Sequence, residues 1–82
     1  LQFSRPGSYA EQVSVLAQNL ISLDGIDLAW DELAALPESY LTAWGALDHS
    51  LRIQRGQTLL VRGSTSAVGM ASVAYAKARG LN

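Results

Sequence analysis

Apolar and polar positions alternate with a period of two from Gly7 to Val15. Tyr9, Glu11, Val13 and Val15 fall on one face and Ala10, Gln12 and Ser14 on the other, which predicts a half-buried strand. Pro6-Gly7 ahead of it is turn punctuation. A second, shorter strand is predicted at Leu20–Leu23, closed by the Asp24-Gly25 turn signal. The period changes near Asp27, which can cap a short helix through Trp30, Leu33, Ala34 and Leu36, with Asp31 and Glu32 favouring its dipole. Pro37 ends that helix and can open the next at its first position. Tyr40, Trp44, Leu47 and Leu51 then recur as one apolar stripe, predicting a helix of about 14 residues. Composition assigns both tryptophans to core packing. Arg55-Gly56-Gln57 breaks the pattern, and Thr58-Leu59-Leu60-Val61 predicts a short strand buried on both faces. After Gly63 to Gly69, a helix is predicted from Met70 to Arg79, with Gly80 as its stop. Ala67, Ala71, Ala74 and Ala78 form a stripe of small residues along it, suited to lying close against a sheet.

Composition narrows the function classes. At 82 residues the chain makes at most one small domain, burying about 60% of the surface its unfolded form exposes. A chain 49% hydrophobic and 16% charged is globular rather than disordered. Its net charge of −1 provides no electrostatic footprint for nucleic acid or anionic lipid. With no Cys there is no disulfide scaffold, thiolate metal site or Cys nucleophile. One His, His49, argues against a His-based metal cluster or a Ser-His-Asp triad within this chain alone. The apolar runs fall far short of the ~20 residues of a membrane span. Leu1-Gln2-Phe3-Ser4-Arg5 shows neither a starting Met nor the plan of a signal peptide. The expected compartment is therefore the cytoplasm, and the chain is expected to be a piece of something longer.

The turn from Gly63 to Gly69 carries the candidate chemistry. A sharp strand-to-helix turn needs a residue tolerant of positive φ, which Gly63 supplies. The free N–H groups of the following helix, with the dipole behind them, attract a pyrophosphate. Gly69 allows close packing, and Ser64, Thr65 and Ser66 add hydroxyls. A P-loop is excluded, because five residues separate the glycines and Met70 follows instead of Lys. The dinucleotide pattern G-x-G-x-x-G fits poorly as well, since its middle glycine would fall on Thr65 or Ser66. By itself the turn admits a cofactor site or a plain strand-to-helix connection.

The order of four blocks goes further. Gly7-Ser8-Tyr9-Ala10-Glu11, then Leu36 to Leu47 (LPESYLTAWGAL), then Gln54 to Val61 (QRGQTLLV), then Gly63 to Gly69 (GSTSAVG) resemble the medium-chain dehydrogenase/reductase superfamily. Within it, the blocks look most like the zinc-independent quinone oxidoreductases. The resemblance implies an α/β architecture, with the chain spanning the end of a GroES-like β-barrel domain, a helical connection and the first βα unit of a Rossmann domain. On that plan residues 1–30 end the barrel domain, 31–56 form the connection and 57–82 begin the nucleotide-binding domain. It also implies NADPH as cofactor, with NADH not excluded, and hydride transfer to a quinone or conjugated carbonyl as small-molecule substrate. Thr42 matches the family's threonine near the nicotinamide. Gly63, Ser64, Thr65, Ser66, Ala67, Val68 and Gly69 match its pyrophosphate loop, written G-x-x-G-x-V-G. Two departures stand out. Ser66 replaces the loop's middle glycine, and Glu38 stands where zinc-dependent relatives place a Cys ligand, so no metal is expected. That branch offers no well-defined proton donor in this stretch, so the resemblance names no catalytic residue.

Other side chains have plainer readings. His49, beside Asp48 near a helix end, is expected at the surface, where it gains from the dipole. Tyr9 and Tyr40 are expected to pack, and Arg52, Arg55 and Arg62 to be solvated. A short-chain dehydrogenase turn would need Thr at position 62 and Gly at 67, where Arg62 and Ala67 stand. The resemblance places the second Rossmann strand, which separates NADPH from NADH, after Asn82, so the isolated chain is expected to be inactive. The alternative is a non-catalytic remnant or interaction module that keeps part of the fold. Strand edges without neighbours predict marginal stability, or a homo-oligomer that covers them.

Overall fold

The computed structural model describes residues 7–82; the expectations for Leu1–Arg5 and Pro6, and the first six residues of the barrel segment 1–30, lie outside them. The first helix, α1 (Trp30–Ala35), starts at Ala29 with no side-chain cap. Asp27 does not cap it, because the helix begins two residues too late for its carboxylate to reach the first free N–H groups. Asp31 and Glu32 still occupy the first turn, and the Asp31 carboxylate accepts the Glu32 N–H at 3.0 Å.

Leu36 closes α1 and opens α2 (Pro37–Trp44), with Pro37 in the first turn as the sequence predicts. After Trp44 the backbone continues without a break into a π-wound turn, Gly45–Ser50. There the Leu51 N–H reaches back five residues to the Ala46 carbonyl at 2.9 Å. Pro37–Ser50 together have the length the periodicity calls for, but the widened winding leaves no mark on the hydrophobic pattern.

α3 (Ala67–Ala78) packs against α2. The seam is made of small residues: Ala43 with Leu47 on the α2 side, and Gly69, Ala71, Ser72 and Ala76 on α3, with Ile53 completing the buried set. This changes two expectations. Of the stripe Ala67, Ala71, Ala74 and Ala78, only Ala71 is buried, because α3 meets a helix in place of a sheet and turns a different face inward. None of the tryptophans or tyrosines belongs to the buried set. Trp44 is 48% exposed and Trp30 83%, so core packing does not account for either tryptophan here. Tyr9 and Tyr40 are likewise exposed.

The end of α3 forms a Schellman motif: the Gly80 N–H donates to the Lys77 carbonyl and the Leu81 N–H to the Ala76 carbonyl, both at 3.0 Å. This returns the chain alongside Gly56–Leu59. The Asn82 N–H donates to the Gln57 carbonyl at 2.9 Å, and the Leu59 N–H donates to the Asn82 carbonyl at 2.8 Å. That alternation, across an intervening helix, is the hydrogen-bond pattern of a parallel strand pair.

These bonds do not build a strand, and no strand forms among the described residues; Thr58–Val61, expected as a strand buried on both faces, leaves Leu60 84% exposed. Residues 7–15 and Leu20–Leu23, expected as strands, run unpaired and exposed but for the half-buried Val15. Alternation alone cannot make a strand without an edge to pair with. A 3-10 turn, Ala17–Asn19, separates the two segments, and the turn at Asp24-Gly25 closes with Ile26 N–H on the Leu23 carbonyl at 3.1 Å. Val13, Leu16, Leu20, Ile21, Leu23, Ile26 and Leu28 are all exposed. The accessible surface is 7117 Å², against about 4,800 Å² for a folded monomer of this mass. The radius of gyration, 15.2 Å, likewise exceeds the ~12 Å of a compact chain of this length. No helix among the described residues is long and apolar enough to cross a membrane.

Candidate functional site: the turn into α3

Ser66 organises the turn. It is the N-cap of α3, with extended backbone, and its Oγ accepts the Gly69 N–H at 3.1 Å. The same hydroxyl donates to the Gly63 carbonyl at 2.8 Å, and the Ser66 N–H reaches that carbonyl too, at 3.1 Å. The Met70 N–H bonds the Ser66 carbonyl at 2.8 Å and starts the helix. One hydroxyl thus ties the beginning of the turn to the first turn of the helix. Sequence reasoning reads Ser66 as a substitute for a glycine facing phosphate; here its proton and one acceptor direction serve the turn itself.

The two glycines have separate tasks. Gly63 has φ +70° with open space around it, so its requirement is conformational. Gly69 has ordinary helical backbone, but a Cβ there would meet the Gly63 carbonyl oxygen and the Ser64 Cα. The turn folds down onto the helix at that point.

What remains free at the surface is suited to an anion. Ala67 and Val68, in the first helical turn, have no intrahelical acceptor for their N–H groups. No acidic residue stands in that turn to neutralise the dipole. Ser64, Thr65, Ala67 and Val68 are exposed. An open groove of about 380 Å³ runs from Ser64 past Met70, Val73 and Ala74 to Lys77.

Thr42 lies apart from this turn, on α2 beside the buried Ala43. Its Oγ1 donates to the Glu38 carbonyl at 2.8 Å, and with Pro37, Glu38 and Leu41 it lines a recess of about 220 Å³. The structure therefore gathers Gly63–Gly69 into one unit and places Thr42 on the neighbouring helix, with no hydrogen bond between them among the described residues. His49, exposed, stacks on Trp44 with ring centroids 6.4 Å apart. No group of three or more His, Cys, Asp or Glu side chains among the described residues is placed to hold a metal ion.

A polar network joins the far ends of the two helices. Asp48, on the π-wound turn, accepts from the Tyr75 hydroxyl and pairs with the Arg79 guanidinium. Arg79 Nη1 also donates to the Tyr75 oxygen at 3.2 Å, and its guanidinium lies 5.9 Å from the ring centroid. The bond from Tyr75 chiefly, opposed by burial and reinforced by Arg79, holds the Asp48 carboxyl below its usual range. Only the i, i+4 spacing of Tyr75 and Arg79 is visible in the sequence; the partner on the other helix is not.

The chain is similar to several enzymes. It is 35% identical over 75 residues to a quinone oxidoreductase of Pongo abelii, covering 92% of this chain and 22% of that protein. It is 33% identical over 72 residues to a phenolphthiocerol/phthiocerol polyketide synthase of Mycobacterium tuberculosis, covering 88% of this chain and 3% of the synthase. A partially reducing polyketide synthase of Talaromyces stipitatus is 42% identical over 55 residues, covering 67% of this chain and 2% of the synthase. The chain thus spans a small fraction of the length of each relative. No family model and no solved structure matches it.

Proposed function

We propose that this chain is the cofactor-loop segment of an NADPH-dependent oxidoreductase of the medium-chain dehydrogenase/reductase superfamily, in its zinc-independent, quinone-reductase-like branch. The observation that carries the reading is the turn itself: Ser66 caps α3 and Gly69 admits the Gly63 carbonyl, leaving the Ala67 and Val68 N–H groups outward at a helix end with no acidic neighbour. The parallel pairing of Gln57 and Leu59 with Asn82 across α3 supports a βαβ origin, and so a Rossmann start after a helical connection and a barrel end. The similarity to a quinone oxidoreductase over 92% of the chain supports the reaction class.

In this reading the Ala67 and Val68 N–H groups hold the pyrophosphate of NADPH, and the exposed hydroxyls of Ser64 and Thr65 reach its oxygens. Ser66 and Gly69 keep the turn in shape for that contact. Thr42 Oγ1 has committed its proton to Glu38, so toward the nicotinamide end it offers a lone pair, suited to an amide N–H. The cofactor, when bound, supplies a hydride to a quinone or conjugated carbonyl, and the protein's part is orientation. Glu38 stands in place of a Cys ligand, and no catalytic zinc is proposed. The uncovered apolar side chains of residues 13–28 support a chain that works within a larger assembly: the rest of the same protein, a second copy, or both. The isolated segment is accordingly inactive.

Titration with NADPH, followed by nicotinamide fluorescence, tests this. Saturable binding that inorganic pyrophosphate competes away is expected. Binding that pyrophosphate leaves untouched contradicts the assigned phosphate site.

A further inference from the structure

The seam between α2 and α3 is lined on both sides mainly by methyl groups and a hydroxymethyl: Ala43, Ala71, Ser72 and Ala76, with Leu47 and Ile53 the only large side chains of the buried set among the described residues. Small side chains let helices approach closely, but they make shallow ridges and grooves, and those ridges are what choose one crossing angle over another. Such a seam needs something else to set its register. Asp48 directly follows Leu47, and Tyr75 directly precedes Ala76, so the Asp48–Tyr75–Arg79 network sits at the rim of the seam and ties one helix to the other. Polar contacts that add little stability can still specify register.

We propose that Asp48 is a positioning residue: through Tyr75 and Arg79 it fixes how α2 lies on α3, and so where Thr42 stands relative to the Gly63–Gly69 turn. The proposal rests on the cofactor reading above. Its mechanics are those of a lever. Ser66 caps one end of α3 and Arg79 the other, about 20 Å apart at 1.5 Å per residue. Thr42, on α2, precedes Asp48, on the π-wound turn that continues it, by roughly 9 Å on the same scale. A change of about 5° in crossing angle at the network would move the turn by ~1.7 Å on that length, and a misplacement of ~1 Å can cost ~10²-fold in a reaction that depends on orientation. The network touches neither the turn nor Thr42, so its effect reaches the cofactor through helix placement alone.

The test compares wild type, Asp48→Ala, Asp48→Asn and Tyr75→Phe by ¹H–¹⁵N spectroscopy with and without NADPH, and by residual dipolar couplings without ligand. In wild type, NADPH is expected to shift the amides of Thr42 and of Gly63–Gly69. Asp48→Ala is expected to keep the shifts at Gly63–Gly69, lose the shift at Thr42, and change the relative orientation of α2 and α3. Asp48→Asn retains an acceptor oxygen and is expected to restore both. Tyr75→Phe removes the hydroxyl's bonds to Asp48 and Arg79 but leaves the Asp48–Arg79 pair, and decides the matter, by a smaller change of the same kind, if Asp48→Ala does not fold. Unchanged couplings together with an unchanged Thr42 shift in Asp48→Ala overturn the proposal. A wild-type spectrum with no response to NADPH defeats the cofactor reading and the positioning role with it, while the couplings still decide whether Asp48 sets the register.

Discussion

A β-carbon on Gly69 would run into the carbonyl oxygen of Gly63, with the Ser64 Cα 2.8 Å away. Both obstacles are backbone, so no side-chain rotation relieves them. The turn into α3 keeps its shape only while residue 69 has no side chain.

Gly69→Ala is therefore expected to push the turn off the helix and to be the more damaging of the two glycine substitutions, costing more than the ~1–3 kcal/mol typical of overpacking. Gly63→Ala meets nothing within 4 Å but must hold φ at +70°, which costs about 1–2 kcal/mol. Denaturant unfolding of both variants checks the order. Equal losses would mean that the close contact at Gly69 is not maintained in solution.

Ser66→Ala removes the cap of α3 and the bond to the Gly63 carbonyl together. A loss of about 1 kcal/mol is expected for the cap, with faster amide exchange confined to the first turn of α3. Ser66→Thr keeps the hydroxyl and should stay close to wild type. A Ser66→Ala protein as stable as wild type would remove Ser66 from its role in the turn.

The parts of the fold that are readable in the sequence are those fixed by local chemistry. Pro37 opens α2, Gly80 follows the end of α3, Asp24-Gly25 turns, and the glycine turn leads into a helix. The parts that are not readable depend on which surface a segment meets. Ala67, Ala74 and Ala78 share a stripe with Ala71 by spacing, yet the partner helix buries Ser72 and Ala76 instead. The period of Tyr40, Trp44, Leu47 and Leu51 yields the right length, but of these four only Leu47 is buried, together with Ala43, because the small residues of α3 bring the helices together on the Ala43 side. Alternation over residues 7–15 describes a strand that needs an edge to join, and none of the described residues provides one. At the candidate site, Gly63 and Gly69 are legible from turn chemistry. The capping of α3 by Ser66 is not, since the glycine pattern points to what Ser66 replaces rather than to what a serine does at a helix start.

Acid should weaken the tie between α2 and α3 in a defined range. Asp48 has its carboxyl pKa lowered in the folded chain, chiefly by the Tyr75 hydroxyl. A depressed folded value means that its contribution is complete above the unfolded carboxylate value of ~3.9 and fades as pH falls through the folded value below that. The stability difference between wild type and Asp48→Asn is expected to be flat above about pH 5 and to shrink below about pH 4. A difference that persists unchanged into stronger acid would show that the Asp48 charge contributes nothing to the network.

The most direct test of the central claim is a ¹H–¹⁵N correlation spectrum of the protein recorded with and without excess NADPH. The account predicts dispersed peaks, with ligand-dependent shifts concentrated at Gly63–Gly69, strongest at the Ala67 and Val68 amides, and a separate shift at Thr42. A well-dispersed spectrum in which these amides ignore NADPH would contradict it.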